Sequence, residues 1–200
     1  MKLFTHEDHS KLATLFNANY AGYRPETLEA PNGDGNVDVT KRYLHVALKY
    51  APPEWAIAYL AHAHFAACQV AEALKVPDAY YPKVENGTLR VLEYPAGSGS
   101  AAHTDFDLFT VHCYRDTDDF ERLDAVDPRA EKVDPHVHLG DIAQEIGLGT
   151  ATRHQVNARD YPQRAIVYFA MPANNAVMPN GQGALEWIAD RYKRSRVAKY

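Results

Sequence analysis

His103-Thr104-Asp105 is the short run in this chain whose residue types and spacing most directly suggest chemistry. On an extended strand alternate side chains share a face, so His103 and Asp105 project together while Thr104 points away. An imidazole and a carboxylate brought together are two metal-capable groups. A histidine from a neighbouring strand would complete two imidazoles and one carboxylate on one face of a metal. That set suits non-haem Fe(II) and leaves positions open for oxygen and a co-substrate.

The chain holds ten histidines, so most must have other duties. His6, His9, His45, His62, His64 and His112 read as structural. His62 and His64 lie two apart on an expected helix and cannot face one another, so they make no metal pair. His136-Val137-His138 has the form that opens a cupin metal site, but the glutamate such a site needs comes only at Glu145. These two also read as structural. Cys113, near the metal strand, reads as a small buried hydrophobe, not a ligand.

The elements that must position these groups follow from period and breaker residues. Residues 7–20 read as a short helix, with Leu12, Leu15, Phe16 and Tyr20 at helical spacing. The run Pro31-Asn32-Gly33-Asp34-Gly35-Asn36 reads as a turn. Pro53 reads as the first-turn proline of a long alanine-rich helix that carries Trp55, Tyr59, Leu60, Phe65, Val70 and Leu74 and ends near Lys75 before Val76-Pro77. From Thr88 the period becomes strand-like: residues 88–94, 103–114, 137–139, a stretch around His154 and residues 165–172. A terminal helix over 184–196 puts Leu185, Ile188 and Tyr192 on one face. Short strands after a helical region predict helices packed on an antiparallel sandwich or jelly roll.

Composition sets bounds on the rest. Two hundred residues suit one domain, and 46% hydrophobic with 24% charged residues excludes a disordered, fibrous or membrane-spanning chain. Lys plus Arg number 21 against 26 Asp plus Glu, a balance of −5 that favours neither nucleic acid nor an anionic membrane as partner. The basic residues Arg191, Lys193, Arg194 and Arg196 read as a solvated face of the terminal helix. Two cysteines without a spacing motif exclude a disulfide framework, and the N-terminus has no signal-peptide core, so the expected location is cytoplasmic.

A longer pattern surrounds the tripeptide. Leu89-Arg90-Val91-Leu92-Glu93-Tyr94-Pro95 precedes Ala102-His103-Thr104-Asp105-Phe106, and Leu108-Phe109-Thr110 follows. Further on come Leu139-Gly140-Asp141, then His154-Gln155-Val156-Asn157 and Arg164-Ala165-Ile166-Val167-Tyr168-Phe169. In this order, over roughly residues 53–172, the chain resembles the iron and 2-oxoglutarate-dependent dioxygenases, in particular the isopenicillin N synthase-like branch.

The resemblance implies a mainly β fold with flanking helices around a double-stranded β-helix (jelly roll, cupin-like) core. It implies one dioxygenase domain over 1–200: helical support in 1–87, the β-helix core in 88–172 and the C-terminal helix in 173–200. Residues 17–50, with Tyr20, Tyr23 and Arg24, form either a reduced lid or surface packing. His103, Asp105 and His154 are the implied Fe(II) ligands, with O2 and 2-oxoglutarate as co-substrates. Arg164, ten positions after the distal histidine, and Tyr94 are implied partners of the far carboxylate of 2-oxoglutarate. Strand alternation then places Arg90 and Leu92 on the face of Tyr94, which makes them candidate contacts to the primary substrate.

The chain departs from the family pattern at Ile166, where a serine usually follows the arginine by two, at Leu92 for an asparagine and at Gln155 for a basic residue. Asp105 disfavours halogenation, which needs a small residue there. The implied activity is hydroxylation of an unactivated C–H bond of a small polar metabolite, with succinate and CO2 as co-products. The alternatives are a 2-oxoglutarate-independent iron oxidase of the same family, a zinc hydrolase on the same ligands and a silent binding module.

Overall fold

The computed structural model describes residues 3–17, 19–27, 41–117, 120–134 and 136–195, and the turn expected at 31–36 lies outside them. Helix α1 (His6–Ala13) starts at a capping box: Thr5 Oγ1 accepts from the Asp8 amide while Asp8 accepts from the Thr5 amide. Helix α2 (Glu54–Leu74) begins one residue after Pro53, which is its N-cap, and stops where Lys75 enters the left-handed region at φ 55°. Its buried stripe is Ala56, Leu60, Ala63, Ala67, Val70, Ala71 and Leu74. Small alanines let the helix lie close on a sheet, while Phe65 is 64% exposed and stands off that stripe.

Among the described residues the strands form two antiparallel sheets. The larger takes β1 (Tyr23–Thr27), β2 (Lys41–Val46), β3 (Thr88–Tyr94), β5 (Phe109–Arg115), β7 (Val137–Leu139) and β9 (Gln163–Ala170) in the order β1-β2-β3-β9-β5-β7. The smaller takes β4 (Ser100–His103), β6 (Phe120–Arg122) and β8 (His154–Val156) in the order β4-β8-β6. The sheets face one another across a cavity, and α1 and α2 cover the outer face of the larger one. This is a double-stranded β-helix core with flanking helices. Strands β1 and β2 enter the large sheet from a region expected to be helical support; the alternation of Lys41, Tyr43 and His45 with Arg42, Leu44 and Val46 is their sequence signature.

Strand parity divides the larger sheet into two chemistries. Leu89 and Val91 of β3, Val111 and Cys113 of β5, and Ile166, Tyr168 and Ala170 of β9 pack toward the helices in the main core. The alternate positions Leu92, Tyr94 and Val167 join Tyr43 of β2 in a smaller cluster on the cavity side. A bulge in β5 between His112 and Tyr114 resets its parity, so Tyr114 goes to the helix-side core and Arg115 to the cavity. Three short helices complete the described fold: α3 (Pro128–Val133), α4 (Asp141–Glu145) and α5 (Ala184–Ser195). No helix among the described residues is long and apolar enough to cross a membrane.

Candidate metal centre

His103 ends β4 and His154 begins β8, and the two are direct partners in the antiparallel ladder. Their ring centroids are 4.4 Å apart. His103 Nδ1 donates to the Ala101 carbonyl at 2.6 Å and His154 Nδ1 to the Thr152 carbonyl at 3.1 Å. A carbonyl can only accept, so each Nδ1 carries a proton, which leaves Nε2 as the nitrogen free to turn its lone pair to a metal once the ring is neutral. Asp105 completes the group, with Oδ1 3.7 Å from His103 Nε2 and Oδ2 3.7 Å from His154 Nε2. One ligand atom from each of the three lies within 4.8 Å of the others.

Asp105 arrives by a different route from the one its spacing suggests. Strand β4 stops at His103, and Asp105 sits in the connection to β5. The start of α4 holds that connection: the Asp141 amide donates to the Asp105 carbonyl at 2.8 Å, Ile142 to Asp107 at 3.0 Å and Gly140 to Leu108 at 3.1 Å. A Cβ at position 140 would collide with both Asp107 Oδ1 and the Asp107 carbonyl oxygen, so only glycine fits there. Arg191 of α5 bonds Asp141 and lies 5.5 Å from the Phe106 ring, which ties the terminal helix to the same connection. Arg191 therefore leaves the solvated basic face expected of it.

Further groups fix the Asp105 carboxylate. Thr110 Oγ1 lies 2.6 Å from Asp105 Oδ2 and His138 Nε2 lies 2.9 Å from the same oxygen. Thr110 is also 2.8 Å from Asp107 Oδ2. One hydroxyl proton cannot serve both carboxylates. Burial, reinforced by the Asp105 charge, holds Asp107 well above the usual carboxylate range, so Asp107 keeps its own proton. Burial also pushes Asp105 upward, but the charge of His154 and the hydrogen bond from His138 outweigh it and hold the carboxyl well below that range. Burial pulls His154 and His138 down to about 4. At neutral pH His154 is thus a neutral imidazole beside an ionised Asp105 carboxylate, a pairing that suits a divalent cation.

The cavity beside these ligands is lined by Lys41, Arg90, Tyr94, Arg115, Phe120 and Phe169 among others. Arg90, Leu92 and Tyr94 all line it, as alternation along β3 requires. Arg90 donates from Nε to His45 Nε2 at 2.8 Å and lies over the rings of Tyr43 at 4.5 Å and Phe169 at 4.8 Å. Burial, with Arg90 beside it, keeps His45 neutral and therefore able to accept that bond.

Arg164 reaches the cavity at one edge. It touches the cavity only where β9 begins, and its guanidinium is 3.7 Å from Asp116. Ile166 and Tyr168 pack toward the helices, and Arg164, of the same strand parity, registers with Glu93. The pleat has a period of two, so the parity with which the chain leaves the 157–162 connection sets which side chains of β9 face the cavity. The same parity explains Ile166: its position is fully buried in the helix-side core, where a serine would be unsuited.

Sequence reasoning missed His138, Thr110 and Lys41 as site neighbours. His138 had a signal in its place three residues before Asp141; Lys41 had one in the alternation of β2. Of the remaining histidines, His6 lies 3.1 Å from Tyr114 Oη, His64 lies 2.9 Å from Tyr168 Oη and His9 donates to the Leu92 carbonyl at 3.2 Å, all structural contacts.

Solved structures share this fold. A Shewanella oneidensis protein assigned as an oxygenase superimposes with a TM-score of 0.60 at 18% identity, over 94% of this chain and 84% of that one. A full-length Neurospora crassa protein in complex with alpha-KG gives a TM-score of 0.60 at 14% identity, over 86% and 72%. JOX2 in complex with 2OG, Fe and JA gives 0.54 at 15% identity, over 94% and 72%. At these identities the likeness is one of fold. No protein-family model matches the chain, and no curated protein matches it.

Proposed function

We propose that the chain is a non-haem Fe(II)- and 2-oxoglutarate-dependent oxygenase of the isopenicillin N synthase-like branch, hydroxylating a C–H bond of a small polar metabolite. The observation that carries this reading is the group His103, Asp105 and His154, whose ligand atoms lie within 4.8 Å of one another at the wall of a cavity. The same fold holds alpha-KG in the Neurospora crassa protein, and 2OG and Fe in JOX2, which supports the choice of metal and co-substrate. The branch rests on the order of the motifs from Leu89 to Phe169.

Iron and 2-oxoglutarate bound here would supply oxidative decarboxylation, yielding succinate and CO2, coupled to oxidation of the substrate by O2. The protein's own residues bind, orient and exclude. His103 and His154 give neutral Nε2 lone pairs, and Asp105 gives one carboxylate oxygen. Tyr94 offers a hydroxyl on the cavity face for a co-substrate carboxylate. Arg90, held by His45, Tyr43 and Phe169, presents a positioned cation to a polar or anionic substrate. Leu92, Val167 and Phe120 keep water from the reacting centre.

Succinate formation tests the reading. With Fe(II), 2-oxoglutarate and a panel of small polar metabolites, succinate should form only when O2 is present. Activity that survives removal of oxygen would point to hydrolysis on zinc instead. Oxygen consumption with substrate but without 2-oxoglutarate would favour the co-substrate-independent oxidase, to which the contact of Arg164 with Asp116 lends weight.

A further inference from the structure

The cavity wall of the larger sheet is built in cross-strand rows, and their register shows which charges meet. Arg42 pairs with Glu93, so one position earlier Lys41 stands opposite Tyr94, and Tyr94 in turn pairs with Gln163. All three line the cavity. Lys41 is only 3% exposed, its Nζ is 5.9 Å from the Tyr94 ring centroid and 3.5 Å from Ser100 Oγ on the opposite sheet. An ammonium, a phenol and a hydroxyl from three strands therefore converge at one end of the cavity. A buried cation is stabilised by an anion brought beside it, and polar hydroxyls on either flank complete the hydrogen bonds a carboxylate needs.

The other cations are less well placed for this role. Arg115 sits on the next row, opposite Ala165, with Nη2 3.2 Å from His136 Nδ1 and its guanidinium 5.1 Å from the Phe120 ring. Arg90 is one row further still, opposite Val167, and is held by His45. Arg164 lines the cavity where β9 begins, but its guanidinium is turned to Asp116, 3.7 Å away.

From this juxtaposition we infer that Lys41, flanked by Tyr94 and Ser100, binds the far carboxylate of 2-oxoglutarate and takes the role that the motif pattern assigns to Arg164. The inference rests on the proposed function and names the residues that serve it. It also accounts for a chain that can lose the serine at position 166 without losing its co-substrate site, because that position no longer faces the cavity.

Direct co-substrate binding tests it. The full chain is loaded with Fe(II) under anaerobic conditions and titrated with 2-oxoglutarate, and the visible charge-transfer band gives Kd. Lys41→Met should raise Kd about 30-fold or more, the loss expected for a charge-assisted hydrogen bond, with Fe(II) affinity unchanged. Lys41→Arg should recover most of the binding. Arg164→Met should stay within about threefold of the parent, as an exposed ion pair with Asp116 predicts. A Lys41→Met variant that binds 2-oxoglutarate like the parent overturns the inference. So does a tenfold or greater loss in Arg164→Met or Arg115→Met, and this arm decides the matter even where Lys41→Met fails to fold; Lys41→Gln is then read in its place. A parent protein that takes up Fe(II) but never develops the band counts against the proposed function itself, and so is distinct from failure of this inference.

Discussion

His138 Nε2 donates to Asp105 Oδ2 across 2.9 Å, joining strand β7 to the connection that carries the acidic metal ligand. Thr110 gives its proton to the same oxygen. With Oδ2 engaged twice, Oδ1 is the oxygen turned toward His103. Removing the donor should loosen that orientation and weaken the metal. His138→Leu should lower Co(II) affinity about 10–100-fold, and His138→Gln, whose amide can still donate, should lose less. Thr110→Val should act in the same direction. Titration followed by the visible Co(II) bands measures both; unchanged affinity and band shape in His138→Leu would show that the contact is packing alone.

The histidines also set a pH dependence. His154 and His138 sit near 4 when folded because burial disfavours their charged forms, against about 6.5 when unfolded. Between these values the unfolded chain binds protons that the folded chain does not, so stability is fully present above about pH 6.5 and falls as the pH drops toward 4. Each ring contributes at most roughly 3 kcal/mol over that window. Asp105, held below its ordinary range, adds loss at still lower pH. Urea unfolding of the metal-free protein from pH 7.5 to 4.5 should show a falling midpoint, and His138→Gln should flatten the curve.

Position 166 separates parity from motif. Ile166→Ser restores the serine of the family pattern, yet the side chain is fully buried on the helix side of β9. It should cost about 3–5 kcal/mol of stability through lost packing and a buried hydroxyl, and leave 2-oxoglutarate binding untightened. Denaturant unfolding and the anaerobic titration read the two effects independently.

Arg191 anchors α5 to the metal connection through Asp141, which is 6% exposed. Arg191→Met leaves that carboxylate without its ion pair and should destabilise by about 2 kcal/mol, less than a fully buried pair because the arginine is partly open to solvent. Metal affinity should fall a few-fold, since the Asp141 amide holds the Asp105 carbonyl. Thermal unfolding and Co(II) titration check this.

Periodicity revealed what depends on local pattern. Strands 88–94 and 137–139 appear with the bounds their alternation suggests, and Pro53 marks the start of α2 within a residue. His103, Asp105 and His154 meet, although Asp105 does so from a connection shaped by α4, a long-range contact no strand pattern contains. The contact of Arg164 with Asp116 was not legible, because spacing along the chain does not fix parity after an irregular connection. Lys41 and His138 belong to strands far from the metal ligands in sequence, and only the closing of the two sheets brings them near.

The most direct measurement is anaerobic titration of the full chain with Fe(II), then 2-oxoglutarate, beside the Asp105→Ala variant. One iron per chain should bind, the visible charge-transfer band should then appear on adding 2-oxoglutarate, and both should be lost or strongly weakened in Asp105→Ala. A folded parent that binds no iron, or that binds it equally well without Asp105, would contradict the proposed centre.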